Sequence, residues 1–298
     1  MRVDRSVSLA ILISGLLGLS CPFAFPASSK ETANPLWVVT KGNSKVFLLG
    51  SIHLMNEGSY PMAQAIEKAY VDAGEVLFEA DMRAMNRADT QARLAQLGTY
   101  PAGLTLKNSV SEGAYDRLAD RFGKSGIAVG KMDRYRPWYC GIALTMLEIR
   151  KLGYDLRHGA EQHFFGRAVA DGKRTSSLES LEEQFAMFSG LSPVEDEELL
   201  LQTLDDLDMV EGNLDKLRTA WRTGDVEALS ALLHTSLKKH PIVLNRLFAA
   251  RNQAWLPKIE ARLADQRSTL VIVGAAHLLG EKGLLKLLEG RGLSVRQL

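Results

Sequence analysis

Cysteine is nearly missing from this chain. Only Cys21 and Cys140 occur among 298 residues, which excludes a disulfide framework and obliges any metal site to use nitrogen and oxygen ligands. Proline is also scarce, at nine residues, and there is no low-complexity tract, solenoid repeat or long linker, so neither disorder nor a string of independent domains is expected. An excess of one charge is lacking too: 36 Lys and Arg face 35 Asp and Glu, a formal net charge of +1. With no long basic run, nothing draws the chain to nucleic acid or to an acidic membrane surface. The apolar stretch at 7–19 is short for a membrane span and is broken by Ser and Gly.

What is present begins with an export signal. Arg2 and Arg5 precede that apolar stretch as the charged and apolar parts of a secretory leader. Gly18 and Ser20 place small residues before a cut at Cys21, with Ala24 or Ala27 as alternative boundaries. A signal peptide at 1–20 (or as far as 27), a flexible segment at 28–35 and a single domain at 36–298 are therefore expected, in a periplasmic or secreted protein. Cys21 at a new N-terminus also resembles a bacterial lipobox, although Gly18 stands where Leu is usual. Lipidation of Cys21 and an uncleaved signal are the two routes to a membrane that stay open.

The remaining chain is 46% apolar and 24% charged over its whole length, enough for a sizeable core. Segments 37–40 and 45–49 flank Lys41-Gly42-Asn43-Ser44 and read as a hairpin. Pro61 is placed to open a helix with Ala65, Ile66, Ala69 and Tyr70 inward. Short strands follow at 76–78, 176–178 and 269–273, the last rich in β-branched residues, with another at 293–298. Ser192-Pro193-Val194-Glu195 is a capping box, and Leu200, Leu204, Leu207, Val210, Leu214, Leu217 and Trp221 then recur at three- and four-residue spacing. A second helix from about Val243 carries Leu244, Phe248, Trp255 and Ile259 on one face, with Arg251 on the same stripe and Pro257 kinking or dividing it. Strands alternating with helices predict an α/β fold, a mixed, mostly parallel sheet covered by helices.

Two distant segments match. Val46-Phe47-Leu48-Leu49-Gly50-Ser51-Ile52-His53-Leu54 and Leu270-Val271-Ile272-Val273-Gly274-Ala275-Ala276-His277-Leu278 each join an apolar strand to Gly-x-x-His-Leu. Gly allows a tight exit from a strand, and ligands bind beyond the strand ends of parallel sheets, so both histidines are expected at one edge. Two further apolar strands run into acid, at Glu79 and at Glu179. Neutral imidazoles and carboxylates suit a divalent manganese, cobalt, zinc or iron ion, with room for water. A carboxylate outside the metal shell could take a proton, and Arg251 could stabilise developing negative charge. Each residue has a plainer reading: a hydrogen-bonded structural His, a solvated helix start at Glu179, Glu182 and Glu183, or an ion-pair partner in Arg251.

Together these residues resemble the TraB/GumN family, related to the Tiki proteins, marked by two distant Gly-x-x-His motifs and an intervening glutamate. The likeness covers 36–298. It includes Leu-Trp-Val-Val at 36–39, Leu-Leu-Gly-Ser-Ile-His at 48–53, Phe-Glu-Ala-Asp at 78–81, Leu-Glu-Ser-Leu-Glu-Glu-Gln at 178–184, Arg251-Asn252 and Val-Gly-Ala-Ala-His-Leu-Leu-Gly at 273–280. Glu161 departs from it, since relatives often have Asp there. The resemblance implies a metal-dependent hydrolase acting on peptides, with His53, Glu79 and His277 as metal or catalytic residues. Related sheets also serve as binding proteins, so a non-catalytic periplasmic binder of peptide, metal or haem is the alternative.

Overall fold

A computed structural model describes residues 34–52, 55, 59–154, 158–234, 239–265 and 267–298. The expected signal segment, Cys21 and His53 lie outside the described residues. β1 (Leu36–Lys41) and β2 (Ser44–Ser51) form the expected hairpin, antiparallel from Leu36 opposite Leu49 to Lys41 opposite Ser44. Gly42 turns the chain at a φ of +58°, a conformation that glycine adopts without steric cost. β3 (Glu75–Ala80), β4 (Arg174–Glu179), β5 (Thr269–Gly274) and β6 (Ser294–Gln297) complete a six-stranded sheet ordered β4-β3-β5-β2-β1-β6. β4, β3, β5 and β2 run parallel, while β1 and β6 are antiparallel to their neighbours. This is a mixed, mostly parallel α/β sheet. Every residue of β5 is buried, which accounts for the apolar run from Leu270 to Val273: a strand covered on both faces has no solvent side on which to alternate.

The register decides what the sheet can do. Ser51 lies opposite Gly274, and Ala80 opposite Glu179. The C-terminal ends of four neighbouring strands therefore finish on one edge, where the crevice of such a sheet lies.

Among the helices, those that matter for this edge are α1 (Gln64–Asp72), α2 (Pro137–Lys151), α3 (Ala160–Ala170), α4 (Pro193–Arg222), α5 (Ala250–Arg262), α6 (Ala275–Leu278) and α7 (Leu284–Glu289). α1 begins three residues after Pro61, with Glu67 reaching back to accept from the Met62 N–H at 3.3 Å. α4 starts on the capping box read from sequence, Ser192 and Glu195 each bonding the other's backbone N–H. Its apolar stripe serves two cores. Leu200, Leu204 and Leu207 pack with Leu118, Phe122, Cys140 and Leu144, whereas Leu217 and Trp221 join the main core with the sheet.

Pro257 does not divide its helix. It sits on the exposed side of α5, where the carbonyl left without a donor can turn to water. The irregularity lies upstream, in a π-helical turn at Asn245–Ala249. Asn34 and Pro35, assigned from sequence to a flexible segment, belong to the fold: Asn34 N–H donates to the Leu298 carbonyl at 2.8 Å, and the Pro35 carbonyl accepts from Gly50 N–H at 2.8 Å. No helix among the described residues is long and apolar enough to cross a membrane.

Candidate functional site

Three of the residues singled out at strand ends converge on Arg251. Glu79 stands near the end of β3, Glu179 ends β4, and His277 lies in α6, the short helix that follows β5. Arg251 reaches them from the first turn of α5. Its Nε donates to Glu179 Oε2 at 3.1 Å and Nη2 donates to Glu179 Oε1, a two-pronged grip. Nη2 also donates to Glu79 Oε1 at 2.6 Å, while Nη1 bonds His277 Nε2 and the Leu247 carbonyl, each at 3.1 Å. A guanidinium has five N–H donors, and each has an acceptor here.

The helical face behind Arg251 is built for this contact. Phe248, Arg251, Asn252 and Trp255 are spaced three and four apart, so they share one side of the helix. The ring centroids of Phe248 and Trp255 lie 4.8 and 4.4 Å from that of His277. The guanidinium stacks on Trp255 at 4.6 Å, and the Trp255 indole N–H donates to Glu179 Oε2 at 3.1 Å. The π turn overlaps the start of this face and supplies both the Leu247 carbonyl and Phe248.

The protonation state of His277 follows from its partners. Asn252 Nδ2 donates to the main-chain carbonyls of His277 at 3.1 Å and Lys282 at 2.9 Å, which leaves Asn252 Oδ1 as an acceptor. That oxygen is 2.7 Å from His277 Nδ1, so Nδ1 carries the proton and donates. Nε2 faces an arginine N–H, which can only donate, so Nε2 must offer its lone pair. His277 is thus a neutral imidazole of fixed tautomer, 3% exposed.

Burial pushes the Glu179 carboxyl above its ordinary value, against the opposing pull of Arg251, and the Glu79 charge adds to the rise. Burial also works against the charged form of Arg251, but Glu79 and Glu179 outweigh it and raise its pKa further. Two carboxylates against one guanidinium leave the cluster formally short of one positive charge when both are ionised. Glu79 is the more accessible of the two, its side chain 18% exposed against 7% for Glu179. Its Oε2 accepts from Gly274 N–H at 3.2 Å, which ties the acid to the second Gly-x-x-His unit.

The two units meet through Gly50. A Cβ on Gly50 would lie 3.2 Å from Ala275 Cα and 3.2 Å from Leu278 Cδ1, so the second unit packs directly over the first. This corrects the expectation that Gly50 eases an exit from the strand: it lies within β2, and its need is for space. The Gly50 carbonyl is fixed from the other direction by the Trp221 indole N–H at 2.6 Å. His53 lies outside the described residues. One residue earlier in the same unit than Ile52, Ser51 donates its hydroxyl to Glu161, a buried carboxylate in the first turn of α3.

Sequence reasoning found Glu79, Glu179, Arg251 and His277 but gave Asn252, Phe248, Trp255 and Ser51 no role at the site. A polar residue beside Arg251 on an otherwise apolar helical stripe was the signal that could have marked Asn252.

The fold and site define a class: an α/β protein with a buried carboxylate, guanidinium and imidazole cluster at the C-terminal edge of its parallel strands. The pattern of the TraB/PrgY/gumN family matches residues 35–297, and the chain belongs to that family. It is 25% identical to the Uncharacterized protein YbaP of Escherichia coli (strain K12) over 264 residues, 85% of this chain and 90% of that one. The protein of the same name from Shigella flexneri matches to the same extent, 25% over 264 residues. No solved structure matches the chain significantly.

Proposed function

We propose that the chain is an exported metal-dependent hydrolase acting on peptides, with a divalent manganese, cobalt or zinc ion held by His53, Glu79 and His277. The observation that carries this reading is the presentation of His277: Nδ1–H is committed to Asn252, and the Nε2 lone pair stands 3.9 Å from Glu79 Oε1. Ligand atoms about 2 Å from one ion can lie up to about 4 Å apart, so these donors suit a common cation. A histidine oriented by an oxygen acceptor through its other ring nitrogen is also the usual support of a metal ligand. The cluster's unbalanced negative charge favours a cation as well. Among the described residues no three His, Cys, Asp or Glu side chains are gathered to hold a metal; the third ligand of this proposal, His53, lies outside them.

A divalent ion, when bound, supplies Lewis-acid polarisation of a peptide carbonyl. The chain's own residues divide the other tasks. Glu79, the more exposed carboxylate, is the group within reach of a substrate for ligation or proton transfer. Glu179, with both oxygens engaged by Arg251 and Trp255, positions the guanidinium. Asn252 keeps the proton of His277 on Nδ1. A membrane enters this proposal only through lipidation of Cys21 or an uncleaved signal.

One observation favours the competing reading of a non-catalytic periplasmic binder of peptide, metal or haem. Arg251 has no donor left for a reacting oxyanion in the arrangement described. The two readings part on turnover: the purified chain, loaded in turn with manganese, cobalt and zinc, is expected to cleave members of an unstructured peptide library and to stop when a chelator is added. Metal affinity without cleavage favours the binder.

A further inference from the structure

Arg251 engages the atoms that a metal would need. An imidazole nitrogen has a single in-plane lone pair, and that of His277 Nε2 receives Arg251 Nη1–H at 3.1 Å. It cannot serve a cation at the same time. Glu79 Oε1 lies 2.6 Å from Nη2, and a guanidinium at that distance repels an incoming divalent ion.

Arg251 is nevertheless not bound by these two contacts alone. Nε and Nη2 grip Glu179, the indole of Trp255 lies under the guanidinium, and Nη1 also holds the Leu247 carbonyl. The side chain can therefore give up His277 while Glu179 still neutralises it.

We propose that Arg251 is a built-in competitor for the metal: it holds the His277 and Glu79 donor atoms in the metal-free protein and must release His277 Nε2 when an ion binds. Arg251 then sets the affinity threshold of the site, so that only an ion binding strongly enough to displace the guanidinium is retained. The proposal rests on the metal reading of the site given above. It makes a prediction opposite to that of a supporting role, because a residue that helps to hold the ligands weakens metal binding when removed, whereas a competitor strengthens it.

The test is titration of Co2+ into the full chain by calorimetry, with the visible absorption of the bound ion as a second readout. Wild type is compared with Arg251→Met and with the double variant Arg251→Met/Glu179→Gln, in which the buried ion pair is removed as a unit so that no carboxylate at Glu179 is left unpaired. The proposal expects Co2+ to bind at least about tenfold more tightly in a folded variant than in wild type, together with a lower melting temperature of the metal-free Arg251→Met protein. Equal or weaker affinity in a folded variant overturns it and leaves the metal reading standing, provided wild type binds. Failure of every folded form to bind Co2+ overturns both. A crystal structure of the Co2+-soaked wild type decides the matter without any variant: Arg251 should still be paired with Glu179 but withdrawn from His277 Nε2, and a guanidinium still bonded to that nitrogen with the ion bound overturns the proposal.

Discussion

Asn252 donates from Nδ2 to two main-chain carbonyls, and so has only its oxygen to offer His277. Replacing it with Ala removes the acceptor that keeps the proton on Nδ1 and leaves a buried ring N–H unpaired. Loss of such outer support costs about 10- to 100-fold in metal affinity, and the unpaired buried group costs about 1–3 kcal/mol of stability. Both are expected in Asn252→Ala, read by metal titration and by melting in chelator. Unchanged metal affinity would mean that the tautomer does not matter to binding. A related expectation concerns the two histidines. His53→Ala and His277→Ala should each lower metal affinity severely and the double variant little further, since ligands of one ion act as a unit. Wild-type affinity in either single variant would remove the shared site.

The strands meet in ways that a few contacts control. A methyl group on Gly50 in β2 would stand 3.2 Å from Ala275 and Leu278, so those neighbours must yield, and overpacking of this kind costs about 1–3 kcal/mol. Gly50→Ala is expected to lower stability by that amount, and Trp221→Phe by about 1 kcal/mol for the lost bond to the Gly50 carbonyl. Chemical denaturation checks both, and a neutral Gly50→Ala would show that the second unit is free to move away.

At the opposite end of β3, Glu75 is buried and paired with Arg174 at 2.9 Å and Arg262 at 3.2 Å, with Ser176 as a further partner. Burial pushes its carboxyl up, but Ser176 and the two arginines outweigh it and hold the pKa below the ordinary value of 4.5. A lowered folded-state pKa contributes stability that is present above the unfolded value and lost as pH falls through the folded one. Wild type is therefore expected to lose stability more steeply than Glu75→Gln as pH drops below 4.5. Parallel acid limbs in the two proteins would show that Glu75 is not responsible.

For the molecule as a whole, α4 joins the core around the sheet to the second cluster that contains Cys140. Cys140 is a free, fully buried thiol, and burial pushes its pKa up, so it should resist thiol reagents until the cluster opens. In a chain beginning at Asn34, which lacks Cys21, a thiol reagent should label nothing in the native state and one cysteine in denaturant. Rapid native labelling would place Cys140 in a segment that opens independently of the sheet. The export proposal is tested on the same scale: protein recovered from a bacterial periplasm should begin between Cys21 and Ser28, and cytoplasmic protein retaining Met1 would contradict it.

Much of this architecture is written locally. The hairpin, the apolar run of β5, the capping box of α4 and the stripe carrying Phe248, Arg251 and Trp255 depend on short-range periodicity and turn chemistry, so the sequence by itself determined them, along with the matched Gly-x-x-His units and the acids at strand ends. It did not determine the strand order, which places β5 between β3 and β2, because that order reflects how covered faces pack rather than any neighbouring residue. Nor could it show that Arg251 bonds Glu79 from 172 positions away, or that Gly50 is small because Ala275 lies against it. Asn252 looked like one more polar residue on a helix. Only the tertiary structure made it the group that sets His277's tautomer, since hydrogen-bond partners far apart in sequence are chosen by the packing that brings α5 and α6 together.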